Sequence, residues 1–190
     1  MTAFAVGIAV GALLRPRPEL VLPYAYVFLY IVVGTAGIYV GLSWRRLAAA
    51  GRRILSRGLA FTAFAVVGDV VAGLIIALPL DLPVRLAVAA ALGSGWYSFT
   101  GPFLSLFSPA MGVIGFVGNQ LREDITLALF PLLKRYVGEG SVVMGGATSM
   151  DTTLGVITRY GGPEVGLEGM VQGVVLTLII PMLMPAVVHL

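Results

Sequence analysis

The stretch GGATSMDTTLG, residues 145–155, places hydroxyl groups and one carboxylate between glycines in a chain that is otherwise apolar. Of the 190 residues, 58% are hydrophobic and 11% are charged, and the mean hydropathy is +0.99. These values lie far outside the range of soluble domains. The composition therefore predicts an all-α integral membrane protein, and a polar stretch at membrane depth then requires a functional explanation.

The remaining composition excludes several kinds of site and partner. The chain has no cysteine, which excludes disulfides and thiolate metal sites, and its one histidine, His189, lies next to the end of the sequence. We therefore expect no metal and no cofactor. The formal net charge of +3 comes mainly from arginines in short loops, where they act as topology signals rather than as a nucleic-acid surface.

The apolar segments of the chain differ in length, and the length separates full spans from interrupted ones. A helix needs roughly 20 residues at about 1.5 Å each to cross a hydrocarbon core of about 30 Å. By this measure the full spans are 23–43, 58–80, 109–133 and 165–189, whereas 2–14 is a short helix and 84–108 and 141–158 are broken.

Glycine and proline break two of these segments. Segment 84–108 contains GSGWYSFTGP, residues 93–102, and segment 141–158 contains the quoted stretch 145–155. Such residues are tolerated at membrane depth only where neighbouring protein or a cavity satisfies the freed backbone groups. Two interruptions are typical of the discontinuous helices or re-entrant hairpins that carry transporter binding sites.

The basic residues orient these segments. The loop WRRLAAAGRRILSR, residues 44–57, should be cytoplasmic by the positive-inside rule. If 84–108 is a hairpin that enters from outside, Lys134 and Arg135 are cytoplasmic as well, and 141–158 is a second hairpin that enters from inside. This arrangement predicts an inverted repeat. Two broken helices that each cross the whole membrane are the alternative, although they place Lys134 and Arg135 outside.

Four acidic residues within the apolar segments are candidates for function, because each costs about 2.5–3.5 kcal/mol at the bilayer centre. They are Asp69, Glu123, Asp124 and Asp151. Structural roles are also open: Asp151 as a helix cap, Glu123 as a partner of Arg122 or another neighbour, and Asp69 as a hydrogen-bond partner.

A polar face and a pair of aromatic residues accompany these acids. Asn119, Glu123 and Thr126 follow one another at i, i+4 and i+7, so they share one face of a helix. Trp96 and Tyr97 lie between glycines at the first interruption, where they can line a pocket and attract a cation. The alternative for both aromatic residues is the membrane interface.

Three ordered motifs carry a resemblance to a known family. GWYSFTGP at 95–102, the LRED helix that ends in LALFPLLKR at 127–135, and GGATSMDTTLGVITRYGG at 145–162 resemble segments of the LysO family of lysine exporters. The resemblance covers nearly the whole chain. It implies export of L-lysine and toxic analogues such as thialysine across the cytoplasmic membrane, coupled to inward movement of protons or cations, and it maps the family's intramembrane glutamate onto Glu123.

The resemblance has one departure. Full-length family members resemble this chain only in their C-terminal part and carry an additional N-terminal membrane region with another acidic residue. We therefore expect residues 1–190 to form a single transmembrane transporter domain of a multi-pass protein in the cytoplasmic membrane. We also expect a homodimer, or a small membrane partner that supplies the additional region.

The chemistry of lysine assigns roles to the polar residues. Its ammonium groups require anions, and its carboxylate requires hydrogen-bond donors such as hydroxyls and a helix N-terminus. The predicted substrate-binding residues are Trp96, Tyr97, Ser98, Asn119, Glu123, Thr148, Ser149, Asp151 and Thr152, and the predicted residues for proton or cation coupling are Glu123, Asp124 and Asp69.

Two other functions use the same residues. A cation/proton antiporter or channel without an organic substrate could use the acids and the broken helices. An intramembrane aspartyl protease would need two aspartates that share a proton, as Asp69 and Asp151 could. However, the VVGD sequence at Asp69 lacks the first glycine of the Gly-x-Gly-Asp pattern seen in such proteases. We expect a transporter rather than an enzyme.

Overall fold

The computed structural model describes residues 2–14 and 18–190, without some of the side chains in the first two helices. The side chain of Arg46, which belongs to the basic loop used above for orientation, lies outside that description. The described residues are almost entirely helical, and no strand occurs among them. This agrees with the predicted all-α fold class.

Most helices follow the predicted apolar segments closely, but the second one extends beyond the predicted span 23–43, and most of the predicted loop 44–57 is helical. A helical segment, Gly138–Met150, bends at Gly146 and is called the bent segment below. The other elements are α1 Thr2–Leu14, α2 Pro18–Ala49, α3 Arg52–Ala77, α4 Val84–Leu92, α5 Tyr97–Ser105, α6 Pro109–Val137, α7 Leu154–Gly161 and α8 Pro163–His189.

Two of the described helices, α3 and α8, are long and apolar enough to cross a membrane by length and composition. The most apolar windows of these helices have mean hydropathies of 2.3 and 2.2. Helix α6 is slightly longer, but Arg122, Glu123 and Asp124 lie together near its centre and reduce its apolar character. The crossings predicted for 23–43 and 109–133 stay predictions.

Both predicted interruptions contain helix ends. Helix α4 ends at Leu92 and α5 begins at Tyr97, which leaves residues 93–96 as a turn inside the first interruption. In the second interruption the bent segment ends at Met150, and α7 begins at Leu154. The helical structure is thus interrupted at both places. The re-entrant course and the inverted repeat stay predictions.

Close helix contacts position these breaks. Helix α8 packs against α3, α4 and the bent segment. An added Cβ at Gly73 of α3 would lie 2.6 Å from Val88 Cα of α4, and one at Gly173 of α8 would lie 2.5 Å from the Met150 nitrogen. Small residues at helix crossings let backbones approach in this way, as is common in membrane proteins. Both breaks are therefore held against long helices.

Candidate substrate site

The two breaks contact each other. The backbone nitrogen of Ala147 donates a hydrogen bond of 2.8 Å to the carbonyl oxygen of Ser94. Gly146, with φ 54° and ψ −134°, brings the bent segment so close that an added Cβ would collide with the same carbonyl. Only glycine adopts such a backbone readily. Residues 93–96 and 145–148, called the break junction below, therefore form one unit.

Asn119 of α6 satisfies the backbone at the first break. Its side-chain nitrogen donates to the carbonyl oxygens of Ala90 and Gly115, both at 2.8 Å, and its Oδ1 accepts from the nitrogen of Gly95 at 2.7 Å. Asn119 is buried. Asn119 was predicted as a substrate ligand, and the contacts observed for its amide are to the chain itself.

Arg122 has the corresponding role at the second break. Its Nε and Nη2 donate to the carbonyl oxygens of Met144 and Val143, at 3.0 and 3.1 Å, where the first half of the bent segment ends. A cation is favourable at the carbonyl end of a helix. Its Nη1 donates to Asp69 Oδ1 of α3 at 2.5 Å. Asp69 therefore neutralises the charge that holds this break.

These contacts bear on the structural roles considered for Asp69 and Glu123, namely a hydrogen-bond partner and a partner of Arg122. In the structure Arg122 pairs with Asp69 and not with the adjacent Glu123. Adjacent residues on a helix do not face each other, which explains why the two diverge. Sequence reasoning did not select Arg122 as a site residue. The signal that could have found it is Asp69, because a carboxylate in an apolar helix requires a cationic or hydrogen-bonding partner.

Glu123 faces the second break. Its Oε2 accepts a hydrogen bond of 2.9 Å from Thr152 Oγ1. Asp151 Oδ1 accepts from the backbone nitrogen of Thr152 at 2.6 Å and lies 3.4 Å from the same hydroxyl. Thr152 thus links two carboxylates, one buried and one exposed. Two like charges so close to each other favour a proton or a bound cation between them.

Two other hydroxyl residues of the quoted stretch, Thr148 and Ser149, bind backbone carbonyls. Thr148 Oγ1 donates to Gly145 at 2.8 Å, and Ser149 Oγ lies 2.6 Å from the carbonyl oxygen of Gly146 and 2.7 Å from that of Gly169. Ser149 is completely buried. Its contacts fasten the bent segment to α8, and a role for Ser149 as a substrate ligand stays a prediction.

A cavity of about 290 Å³ lies beside the break junction. It is called the break cavity below, and its size is close to the lower end for small-molecule sites. Predicted site residues contribute much of its wall, and Thr35 of α2 and Thr177 of α8 add hydroxyls that sequence reasoning did not select. The lining residues are Val32, Thr35, Trp96, Ser98, Ala147, Thr148, Met150, Asp151 and Thr177.

Trp96 and Tyr97, the aromatic residues of the first interruption, pack against different rings. The ring of Trp96 stacks on Phe99 with centroids 5.0 Å apart, and Trp96 borders the break cavity. Tyr97 packs edge-on against Phe116 with centroids 5.3 Å apart. The phenol of Tyr97 is close enough to Glu123 and Asp151 to interact with both electrostatically. Both aromatic residues are therefore placed near the acids.

Asp69 and Asp124 lie away from the break cavity. Asp124 is exposed on α6 and accepts from Gln120 Nε2 at 3.3 Å. Asp69 borders a second cavity of about 280 Å³, together with Asn119 and Arg122. A protease would need Asp69 and Asp151 to share a proton. The pairing of Asp69 with Arg122, and its position in a different cavity, give that function no support.

An apolar helical chain whose two broken helices meet beside a cavity with several polar lining residues has an architecture typical of membrane transporters. The family model of the lysine exporter LysO matches residues 1–188, and the chain belongs to this family. The family is one of transporters, which favours a role other than catalysis. No solved structure matches the chain.

Two curated relatives carry corresponding names. "Lysine exporter LysO" of Escherichia coli is 34% identical over 181 residues, which cover 95% of this chain and 58% of that protein. "Putative lysine exporter" of Haemophilus influenzae is 30% identical over 159 residues, which cover 82% of this chain and 81% of that protein. The match thus spans somewhat more than half of the Escherichia coli protein and most of the Haemophilus influenzae one.

Proposed function

We propose that the chain exports L-lysine, and toxic analogues such as thialysine, across the cytoplasmic membrane by proton- or cation-coupled antiport. The observation that carries the proposal is the hydrogen bond of 2.9 Å between Thr152 and Glu123. It places a buried carboxylate at the second helix break, next to Asp151, which borders the break cavity. The names of the two relatives support lysine as the substrate.

The break cavity, together with Glu123 and Thr152 at the adjacent second break, offers groups for each part of lysine. Glu123 and Asp151 receive ammonium groups, since paired carboxylates attract a cation. Trp96 contacts the alkyl chain and the adjacent ammonium with its ring face. The substrate carboxylate is received by the N-terminal turn of α7, where backbone N–H groups point outward. The hydroxyls of Thr148 and Thr152 donate to it when they release their bonds to Gly145 and Glu123. Tyr97, Ser98, Asn119 and Ser149 complete the proposed binding residues.

Glu123 is the proposed coupling residue. Its carboxylate is buried, and Asp151 is a neighbouring carboxylate through Thr152. A proton or a substrate ammonium relieves the repulsion, but the two compete for the same oxygens. Lysine and proton binding are therefore mutually exclusive at Glu123, as antiport requires. Asp124 and Asp69 are the next candidates.

Residues 1–190 act in this proposal as one transporter domain. Its two breaks are re-entrant hairpins related as an inverted repeat, and the movement of one hairpin relative to the other exposes the site to alternate sides. Helix α2 packs mainly against α5 and α8, and most of its described side chains are exposed. We propose that a second copy of the chain, or a small membrane partner, packs against α2.

Lysine counterflow in proteoliposomes tests the function. Vesicles loaded with unlabelled L-lysine should accumulate radiolabelled lysine, and thialysine should compete better than ornithine or arginine. Empty vesicles and vesicles loaded with sodium alone serve as controls. Proton-coupled sodium exchange without any lysine counterflow would instead establish the alternative, a cation/proton antiporter without an organic substrate.

A further inference from the structure

A second group of charges lies outside the proposed substrate site. Arg57 of α3 faces two carboxylates, Glu139 at the start of the bent segment and Glu168 of α8. Its Nη2 donates a hydrogen bond to Glu139, and its Nε lies 3.2 Å from Glu168 Oε1. These three residues, called the arginine cluster below, connect three elements. Sequence reasoning selected none of their carboxylates.

The two carboxylates have different surroundings. The Glu139 side chain is 43% exposed, whereas the Glu168 side chain is fully buried. The hydrogen bond from Arg57 holds the pKa of Glu139 below its usual value. Glu139 therefore stays charged and keeps its hydrogen bond with Arg57. Among the described residues, Arg57 is the one cation in ion-pair contact with both anions, and the Glu168 side chain is shielded from water.

The buried carboxylate also lacks hydrogen-bond donors. Among the described residues, neither oxygen of Glu168 has a hydrogen-bond partner, and the contact with Arg57 is an ion pair only. Gln172, one helical turn further along α8, is buried and its Oε1 is likewise without a partner. The Gln172 nitrogen donates to Val142 and Gly146 of the bent segment. Buried acceptors without donors are costly, and a proton on Glu168 would supply one donor.

We propose that Glu168 is a second proton-binding site of this transporter, with Arg57 as its counter-ion. The proton comes from water at the exposed side of Glu139 and forms an O–H bond on the Glu168 carboxylate, and no other bond is made or broken. The other charges that face this carboxylate are Glu164 on the same helix and Arg53 on α3. When Glu168 is protonated, Arg57 is bound by Glu139 alone.

The site is connected to the break junction. Charged Glu168 holds Arg57 and therefore ties α8 to α3, whereas neutral Glu168 releases that tie and leaves Arg57 with the bent segment. The neighbouring Gln172 donates to the carbonyl oxygen of Gly146, at the bend itself. Protonation of Glu168 thus acts on the same segment that borders the substrate cavity. The contribution of Glu168 to coupling rests on the proposed antiport, whereas the binding of a proton by Glu168 does not depend on it.

Infrared spectroscopy tests proton binding directly. A pH titration of the reconstituted chain should show carboxylic acid C=O bands that disappear at high pH, and Glu168→Gln should lack one of them, which Glu123→Gln retains. Glu164→Gln, one turn away and exposed, is the matched control and should keep the band. Glu168→Asp retains an ionisable group, so its band should remain but titrate at a different pH. If Glu168→Gln fails to fold, an identical titration of every such band in Glu168→Asp and the unmodified chain would overturn the proposal.

Transport measurements then separate this proposal from the proposed function. In Glu168→Gln, lysine counterflow should persist while pH-gradient-driven lysine accumulation falls about fivefold or more, the lower end of typical coupling between sites. Unchanged accumulation together with an unchanged infrared band would refute the second proton site. Failure of the unmodified chain to perform lysine counterflow would instead refute the export function and leave the infrared result standing.

Discussion

Arg122 of α6 lies 2.5 Å from Asp69 of α3, and the same guanidinium donates to two carbonyl oxygens of the bent segment. One partly buried ion pair thus connects α3 and α6, and its arginine holds the bent segment. Such a pair adds little to the free energy of unfolding. Removal of one partner is costly, however, because it leaves the other charge unpaired in the protein interior. The pair therefore determines whether the second break keeps its shape.

We expect Asp69→Ala and Arg122→Ala each to destabilise the fold by about 3–5 kcal/mol, since each leaves one charge without its partner. The double variant should lose less than the sum of the two, because both charges are gone. Unfolding of the purified chain in detergent, followed by circular dichroism, measures all three. Strict additivity of the two losses would show that the pair is not coupled.

Gly146 is predicted to be irreplaceable at the bend. Its φ of 54° and the nearby Ser94 carbonyl leave no room for a side chain. We expect Gly146→Ala to lower the free energy of unfolding by about 1–3 kcal/mol and to reduce transport. Gly155→Ala, in a helix with nothing near its added Cβ, should be neutral or slightly stabilising. Equal effects of the two substitutions would contradict the tight contact at the break junction.

The positions of both breaks could be predicted because glycine, proline and clustered polar residues leave a strong local signal. Their mutual contact could not, since the Ser94–Ala147 hydrogen bond depends on how distant helices pack. The sequence showed that Asn119, Glu123 and Thr126 share one helix face. It did not show that Asn119 hydrogen-bonds to the backbone, whereas Glu123 accepts a hydrogen bond from Thr152. Glu168 was missed because it lies near the start of the apolar span 165–189 rather than at its centre, and its partner Arg57 is distant in sequence.

Single cysteines test the predicted topology, because the chain contains none of its own. Tyr136, beside Lys134 and Arg135, and Leu190 at the other end of α8 are both well exposed. The hairpin arrangement places Tyr136→Cys in the cytoplasm and Leu190→Cys outside. A membrane-impermeant maleimide should therefore label only Leu190→Cys in intact cells and both after lysis. Labelling of both positions in intact cells would favour two fully crossing broken helices.

The last prediction separates the two carboxylates that share Thr152. Glu123→Gln keeps the size and the acceptor oxygen of the side chain but cannot ionise. We expect it to abolish lysine export driven by a pH gradient and to weaken lysine binding by about 2 kcal/mol or more, as loss of a buried charge partner does. Asp151→Asn should weaken binding as well, but its side chain is exposed, so the dependence of transport on the pH gradient should remain. Equilibrium binding of radiolabelled lysine and gradient-driven accumulation in proteoliposomes distinguish the two effects. If Glu123→Gln still accumulates lysine with normal pH dependence, the coupling assignment is wrong, and Asp124→Asn and Asp69→Asn become the variants to measure.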